Sequence, residues 1–194
     1  PEDPDYIMPE REPDRLDILI LGLRGKDDPD GGLLTDSMML FSFDNVTHAT
    51  ALVSLPRDLY VKITDTKRDK INTAFENLGM SGTRKLISKV TGVYIDNVIV
   101  FDFDSFEEIV NEIGGIDVTL DVPFQETTQW GYTFLLPAGD NHLDGQTALY
   151  YVRSRFSSSD FDRARRQQQV MFAIKKKVME TKLLTDPIRA LSLV

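Results

Sequence analysis

Arginine is concentrated in one short stretch of this acidic chain. Of its 194 residues, 31 are Asp or Glu against 22 Lys or Arg, and the formal net charge is -9. Crowded guanidinium groups repel one another unless an anion lies between them, and their forked donors match phosphate oxygens. The overall charge argues against nucleic acid as the partner. We therefore expect a local phosphate or pyrophosphate site around Arg153, Arg155, Arg163, Arg165 and Arg166.

Helical periodicity places part of this stretch toward a core. Arg163 and Gln167 fall on the same stripe of a helix as three apolar residues, Val170, Ile174 and Val178. Because an arginine is seldom buried without a partner, Arg163 needs either a bound anion or a carboxylate from Asp160 or Asp162. The structural alternative is a solvated helix start at which capping carboxylates pair with arginines.

A second set of charged residues follows three predicted strands. Short apolar runs at 17–23, 37–43 and 50–55 are bounded by Gly, Asp, Asn or Pro, and the short links favour an antiparallel meander. In such a meander the end of the first strand, the start of the second and the end of the third share one sheet edge. Those positions hold Arg24, Asp36 and Arg57, so we predict that the three side chains converge.

Four neighbouring side chains have open roles. Asp36 could hold magnesium on a pyrophosphate or cap a loop, and Asp58 could form a loop ion pair or belong to a site. Lys70 and Asn72 could bind a ligand at a helix start, or could be an exposed lysine and a helix cap. A histidine-based triad is not expected, since neither histidine has a Ser or Cys partner nearby.

The elements that must position these residues alternate along the chain, which predicts an α/β layered domain. Residues 1–15 are rich in proline and acidic residues and indicate an arm or linker before a single domain at 16–194. An anchor is expected upstream of Pro1. The remaining predictions are strands at 59–63, 98–103 and 116–120, a hairpin near 132–135, helices at 72–78, 83–90 (capped by Ser81) and 105–113, a helix from Asp144 to 152, and a long helix capped by Asp160 or Asp162 that runs to about 182.

Seven segments in order resemble the LytR-CpsA-Psr family, and the arginine-rich segments are the most specific. The resemblance covers roughly residues 16–180. The segments are 17–23, Thr35-Asp36-Ser37-Met38-Met39-Leu40, Ser54-Leu55-Pro56-Arg57-Asp58, Lys70-Ile71-Asn72-Thr73-Ala74, Gly114-Gly115-Ile116-Asp117-Val118, Ala148-Leu149-Tyr150-Tyr151-Val152-Arg153-Ser154-Arg155 and 160–168.

The resemblance implies a three-layer α-β-α fold with a central mixed sheet and an apolar pocket for a polyprenyl tail. It implies an extracytoplasmic, membrane-anchored phosphotransferase that moves a glycopolymer, such as teichoic acid or capsule, from a polyprenyl-pyrophosphate carrier to peptidoglycan. An acceptor hydroxyl would attack phosphorus, and cationic groups would stabilise the transition state. Asp58 or Asp160 would accept the hydroxyl proton, and the sequence does not choose between them.

The resemblance also assigns residues by position. Asp36 would be a metal ligand, usually for Mg²⁺. Phosphate oxygens would be held by Arg57, Arg153, Arg155, Arg163 and Gln167. The supporting groups would be Asp58, Lys70, Asn72, Asp160 and Arg166.

The chain departs from the family pattern after its first strand. Gly22-Leu23-Arg24 stands where the family often has Gly-x-Asp, and Leu34 replaces the usual arginine two residues before Asp36. Either the guanidinium of Arg24 takes the place of the cation, or Asp27 or Asp28 supplies the missing carboxylate; we prefer the first.

Two other functions are consistent with the same residues. A polyprenyl-pyrophosphate phosphatase would use water in place of the sugar acceptor. A noncatalytic module would bind wall glycan or anionic lipid without turnover, which the altered carboxylate position makes worth testing.

Overall fold

The computed structural model describes residues 7–25, 32–155 and 159–180. The chain contacts divide it into two compact units, Pro1–Phe103 and Asp104–Val194.

The first unit contains β1 (Arg15–Gly25), β2 (Gly32–Asp44), β3 (Thr50–Ser54), β4 (Tyr60–Lys62), β5 (Arg68–Lys70), a 3-10 helix (Ile71–Thr73), α1 (Ala74–Thr91) and β6 (Asn97–Phe101). Four of these strands form a mixed sheet in the order β3-β2-β1-β6. Strands β1, β2 and β3 are antiparallel neighbours, which confirms the predicted meander, and β6 lies parallel to β1. The predicted α/β class with a mixed sheet is therefore confirmed.

Apolar side chains from one face of this sheet make the core of the first unit. Leu19 and Leu21 of β1 and Met38 and Leu40 of β2 are buried together. They alternate with residues on the other face, as the period of a strand requires. The 3-10 helix, α1 and the segment before β6 cover them through Ile71, Ile87 and Ile95.

Helix α1 is broken near its start. The prediction placed two helices here, the second beginning after Ser81, whereas the structure places the break at Gly79. Gly79 has φ 65° and ψ -173°, a conformation that only glycine adopts without strain. The strand β5, which pairs with β4, was not predicted.

The described residues of the second unit form α2 (Phe103–Glu112), β7 (Ile116–Leu120), β8 (Phe124–Glu126), β9 (Phe134–Leu136), β10 (Gly139–Leu143), α3 (Gly145–Arg153) and α4 (Asp160–Glu180). The helix spacing at 105–113 and the glycine pair after it correctly predicted α2, and Asp144 caps α3 by accepting a hydrogen bond from the Thr147 amide. The strands β8 and β9 pair as a hairpin, and β10, which was not predicted, pairs with β7.

None of the helices within the described ranges combines the length and the apolar content needed to cross a lipid bilayer. The predicted end of the last helix near 182 lies outside the described residues.

Candidate functional site

A bulge in the central sheet of the first unit sets the position of Asp36. Gly22 pairs with Ser37, and the next residue, Leu23, pairs with Thr35, so Asp36 is the extra residue between two consecutive pairs. A bulge turns the extra side chain away from the regular alternation of the strand. The irregular register is what presents Asp36 at the sheet edge.

Both oxygens of the Asp36 carboxylate accept hydrogen bonds from arginine. Arg24 Nε donates to Oδ2 at 2.7 Å, and Arg57 Nη1 donates to Oδ1 at 2.6 Å. The predicted convergence of these three side chains is confirmed. Burial by itself raises the pKa of Asp36, but the two guanidinium groups, Arg24 first, outweigh it and hold that pKa below its usual value.

Main-chain hydrogen bonds fix the loop that carries Arg57. The Leu59 amide bonds the Pro56 carbonyl at 3.0 Å, and the Asn72 amide bonds the carbonyl of Arg57 at 3.2 Å. Arg57 is 16% exposed, and its Nε is buried without a hydrogen-bond partner within the described ranges. Asp58 Oδ2 lies 3.7 Å from that atom, too far for a hydrogen bond. A buried donor of this kind is satisfied by an ordered water or by an acceptor of a ligand.

The supporting residues of the first unit extend this arrangement. Lys70 Nζ lies 2.5 Å from Asp58 Oδ1, so charges of alternating sign run from Arg24 to Lys70. Asn72 is held by the buried Thr35, whose hydroxyl donates to the Asn72 carbonyl at 3.1 Å. Asn72 Oδ1 is buried and finds no hydrogen-bond partner in the part of the chain that the structure describes.

These residues do not fit a magnesium ion. Each oxygen of Asp36 already accepts from a guanidinium group, and a divalent cation beside Arg24 and Arg57 would be repelled by both. The described residues contain no group of three or more His, Cys, Asp or Glu side chains able to hold a metal. Asp27 and Asp28, the alternative ligands, lie outside the described residues.

In the second unit, the start of the arginine-rich stretch is held by a neighbouring loop. The guanidinium carbon of Arg153 lies 5.3 Å from the ring centroid of Trp130. Trp130 stacks on Tyr150 with 4.4 Å between centroids and 10° between planes. The side chain of Arg155 is exposed, and its amide bonds Gln129 Oε1 at 2.8 Å.

A capping box lies at the start of α4, and its capping residue is not the one that was predicted. The cap is Ser159, whose Oγ accepts from the Asp162 amide at 3.2 Å, while Asp162 Oδ2 accepts from the Ser159 amide at 3.2 Å. Asp160 and Asp162 instead occupy the first turn, where carboxylates are favoured by the helix dipole. A serine three residues before an acidic residue was the signal that could have identified this cap.

Arg163 points inward, as its helical stripe predicted. Its side chain is 10% exposed, and its Nη2 lies 3.1 Å from Asp160 Oδ1, so a carboxylate is one of its partners. Arg165 pairs with Asp162 at 3.0 Å and is 80% exposed. These are the pairs expected of the structural alternative, in which carboxylates at the helix start neutralise arginines. Gln167 is half-buried.

The buried side chain of Arg166 contacts other residues of the second unit. Its Nε donates to the Tyr151 carbonyl at 2.9 Å, and its Nη2 donates to the carbonyl of Ser154. Its guanidinium carbon lies 4.8 Å from the Phe124 ring centroid. These contacts join the start of α4 to the end of α3, which is a structural role that spacing alone did not reveal.

A sequence profile described as the LytR_cpsA_psr family matches residues 3–193. The chain is 36% identical over 165 residues, or 84% of its length, to the polyisoprenyl-teichoic acid–peptidoglycan teichoic acid transferase TagU of Bacillus cereus, and covers 52% of that protein. It is 32% identical over 168 residues, or 83% of its length, to the transferase TagT of Bacillus subtilis, and again covers 52%.

Solved structures of related proteins also match this chain. The structure of the LytR-CPS2A-psr family protein YwtF (TagT) with bound octaprenyl pyrophosphate lipid superimposes with a TM-score of 0.71 at 27% identity. The match covers 89% of this chain and 69% of that one. The chain spans about half the length of the curated relatives.

Proposed function

The chain belongs to the LytR-CpsA-Psr family, and from this membership we propose that it transfers a glycopolymer from a polyprenyl-pyrophosphate carrier to peptidoglycan. Membership also confirms the resemblance found in the sequence. The related TagU and TagT are named as transferases of teichoic acid to peptidoglycan, and the solved TagT carries a polyprenyl pyrophosphate. An apolar pocket for the lipid tail is part of the proposal.

One observation in the first unit carries the proposal. Arg57 is fixed by its loop, paired with Asp36 through Nη1, and left with a buried Nε that has no partner within the described ranges. A nonbridging phosphate oxygen would satisfy that donor. Phosphoryl transfer spreads negative charge over such oxygens, so a fixed guanidinium group stabilises the transition state with little rearrangement.

Each cluster supplies further groups for this chemistry. We assign Arg153, Arg155 and Arg163 to phosphate oxygens, with Gln167 as a further donor. Asp160 is 65% exposed, so it can leave Arg163 when an anion binds. The proton acceptor remains Asp58 or Asp160, and the Asp58 carboxylate lies 2.5 Å from Lys70 Nζ.

We propose that Arg24 does the work of a metal cation. The Arg24 guanidinium sits on the Asp36 carboxylate at 2.7 Å, and it carries a permanent positive charge that a chelator cannot remove. No step of the proposed reaction passes through magnesium. The full-length protein should bind octaprenyl pyrophosphate equally well with EDTA or with Mg²⁺.

An Arg24→Asp variant tests that assignment. It restores a carboxylate beside Asp36 and should gain Mn²⁺ binding, detected by electron paramagnetic resonance, whereas we expect the wild type to bind none. Mn²⁺ bound stoichiometrically by the wild type, together with loss of lipid binding in EDTA, would reject the role of Arg24.

Product analysis tests the function itself. The full-length protein is incubated with a polyprenyl-pyrophosphate-linked oligosaccharide and a muropeptide, and the products are weighed by mass spectrometry. We expect a glycan-phosphate-muropeptide product together with the lipid phosphate. Free glycan phosphate without a muropeptide adduct would identify a phosphatase, and tight binding without products would identify a noncatalytic module.

We also propose an extracytoplasmic, membrane-anchored location, because the peptidoglycan acceptor lies outside the membrane. Protease treatment of protoplasts that express the full-length protein should digest this domain. Protection from the protease until the cells are lysed would place it in the cytoplasm and argue against the acceptor.

A further inference from the structure

Two side chains of the loop between β8 and β9 hydrogen-bond the segment at the end of α3. Gln129 Nε2 donates to the Arg153 carbonyl at 3.2 Å, and Gln129 Oε1 accepts from the Arg155 amide at 2.8 Å. Trp130 Nε1 donates to Ser154 Oγ at 3.2 Å. Three consecutive residues of the arginine-rich stretch are therefore each bonded to Gln129 or Trp130, which we call the clasp.

The ring of Trp130 also fixes a side chain. Arg153 lies 5.3 Å from its centroid, within the range of a cation-π contact. The ring is held in turn by its stack on Tyr150, and Phe134 meets Tyr150 edge-on at 5.9 Å. The guanidinium group of Arg153 therefore rests on an aromatic cluster that is itself packed.

A buried carboxylate at the start of the loop that carries the clasp accepts hydrogen bonds from the loop. Glu126 is fully buried, and its Oε1 accepts from the Thr128 amide and hydroxyl at 3.1 Å each and from the Gln129 amide at 3.4 Å. A buried carboxylate is costly unless its hydrogen bonds are satisfied, so these bonds favour one conformation of the loop. Gln129 and Trp130 are thereby presented in a fixed geometry.

We propose that Gln129 and Trp130 are positioning residues that hold Arg153 and Arg155 in place for the anionic oxygens of the pyrophosphate carrier. The inference rests on the proposed function. Neither clasp residue needs to touch the substrate. Donors that are fixed before binding need not rearrange during the reaction, so their full interaction is available to the transition state.

A pair of matched glutamine variants tests the clasp. Gln129→Leu removes one donor and one acceptor bond, and so does Gln169→Leu, because Gln169 Nε2 donates to the Thr119 carbonyl and its Oε1 accepts from the Tyr151 hydroxyl. The affinity for octaprenyl pyrophosphate in detergent micelles is measured together with kcat, KM and Tm. We expect Gln129→Leu to lower affinity or kcat by about tenfold to a hundredfold, as displaced catalytic groups do. Gln169→Leu should lower Tm as much as Gln129→Leu does, and it should keep the activity of the wild type.

Trp130 provides a readout that does not depend on turnover, because it is the single tryptophan of the chain. Arg153→Gln should change the Trp130 fluorescence of the unliganded protein, whereas Arg165→Gln, at an exposed position, should not. Trp130→Phe keeps a ring for Arg153 and should retain more activity than Trp130→Leu.

The outcomes separate the inference from the function on which it rests. If the wild type does not bind octaprenyl pyrophosphate, the proposed function fails. If the wild type binds and Gln129→Leu behaves like Gln169→Leu, the clasp has only a structural role and the inference fails alone. Equal fluorescence of Arg153→Gln and wild type would likewise overturn it.

Discussion

The two arginine clusters are built in opposite ways. In the first unit, Arg24 and Arg57 come from separate strand ends and meet on one carboxylate, Asp36. In the second unit, the arginines are neighbours in sequence but point in different directions. Arg166 is buried, Arg163 is buried and pairs with Asp160, and Arg165 is exposed.

The difference shows that density in sequence does not measure concentration in space. In the crowded stretch, Arg166 donates to main-chain carbonyls, and Arg165 pairs with Asp162 in the first turn of α4. The sparse set leaves a buried donor of Arg57 without a partner in the described part of the chain. A residue of the sparse set therefore has the stronger structural argument for contact with a ligand.

Replacing Arg57 should give the largest effect and is the most direct way to break this comparison. We expect Arg57→Ala to lower kcat/KM for glycopolymer transfer by about a hundredfold to a thousandfold, because a fixed donor to the transition state is lost. Arg57→Lys should stay low, since an ammonium group cannot present two forked donors. Rates are measured with Tm as a check on folding.

Arg68→Ala is the control for Arg57, because Arg68 lies exposed on β5 of the same unit. Arg153→Ala and Arg163→Ala should also lose most turnover. Near-normal rates in all three of the Arg57, Arg153 and Arg163 variants would show that the site is elsewhere.

Replacing Arg166 should affect stability. We expect Arg166→Met to lower the free energy of unfolding by about 2–4 kcal/mol, because two carbonyls lose a buried charged donor. Arg165→Met should change it by no more than about 0.5 kcal/mol, since that side chain is largely in water. Urea unfolding measures both. Equal losses would contradict the distinction between interior and exposed arginines.

Local patterns in the sequence predicted the parts that depend on local chemistry. The meander, α2 with its closing glycines, the Asp144 cap and the inward face of Arg163 all follow from periodicity or capping preferences. The convergence on Asp36 followed from strand order alone.

Other features depend on partners that are distant in sequence. The bulge at Asp36 is a property of the β1–β2 register, and the strand β10 is defined by its pairing with β7. The clasp was missed because Gln129 bonds main-chain atoms and Trp130 bonds a serine hydroxyl some 24 residues away, and no motif marks such contacts. The burial of Arg166 could not be predicted either, because it depends on the positions of two main-chain carbonyls, those of Tyr151 and Ser154.

The Asp36 carboxylate gives a pH dependence that sharpens the comparison. Its pKa is held below the ordinary value by Arg24 and Arg57 despite burial, so its ionised form stabilises the folded state. That contribution is fully present above the unfolded pKa of about 3.9, and it is lost as the pH falls through the lower folded pKa.

We expect Asp36→Asn to be less stable than wild type by about 1–3 kcal/mol at neutral pH, because two guanidinium groups lose a shared carboxylate. The gap should stay constant down to about pH 5 and close in stronger acid. Guanidinium chloride unfolding at a series of pH values follows it. A gap that widens in acid would mean that the pKa of Asp36 is raised.

The capping box at Ser159 should give the smallest effect. Ser159→Ala removes the acceptor for the Asp162 amide and should cost about 1 kcal/mol of stability, whereas Ser159→Thr, which keeps a hydroxyl, should cost less. Because the cap fixes only the start of α4, turnover at a temperature where both proteins are folded should stay near that of wild type. A loss of turnover larger than the loss of stability would mean that the first turn of α4, with Asp160 on Arg163, is held in place for the substrate. The arginines of the second unit would then depend on the hydrogen bonds of the first turn of α4, as Arg24 and Arg57 depend on Asp36.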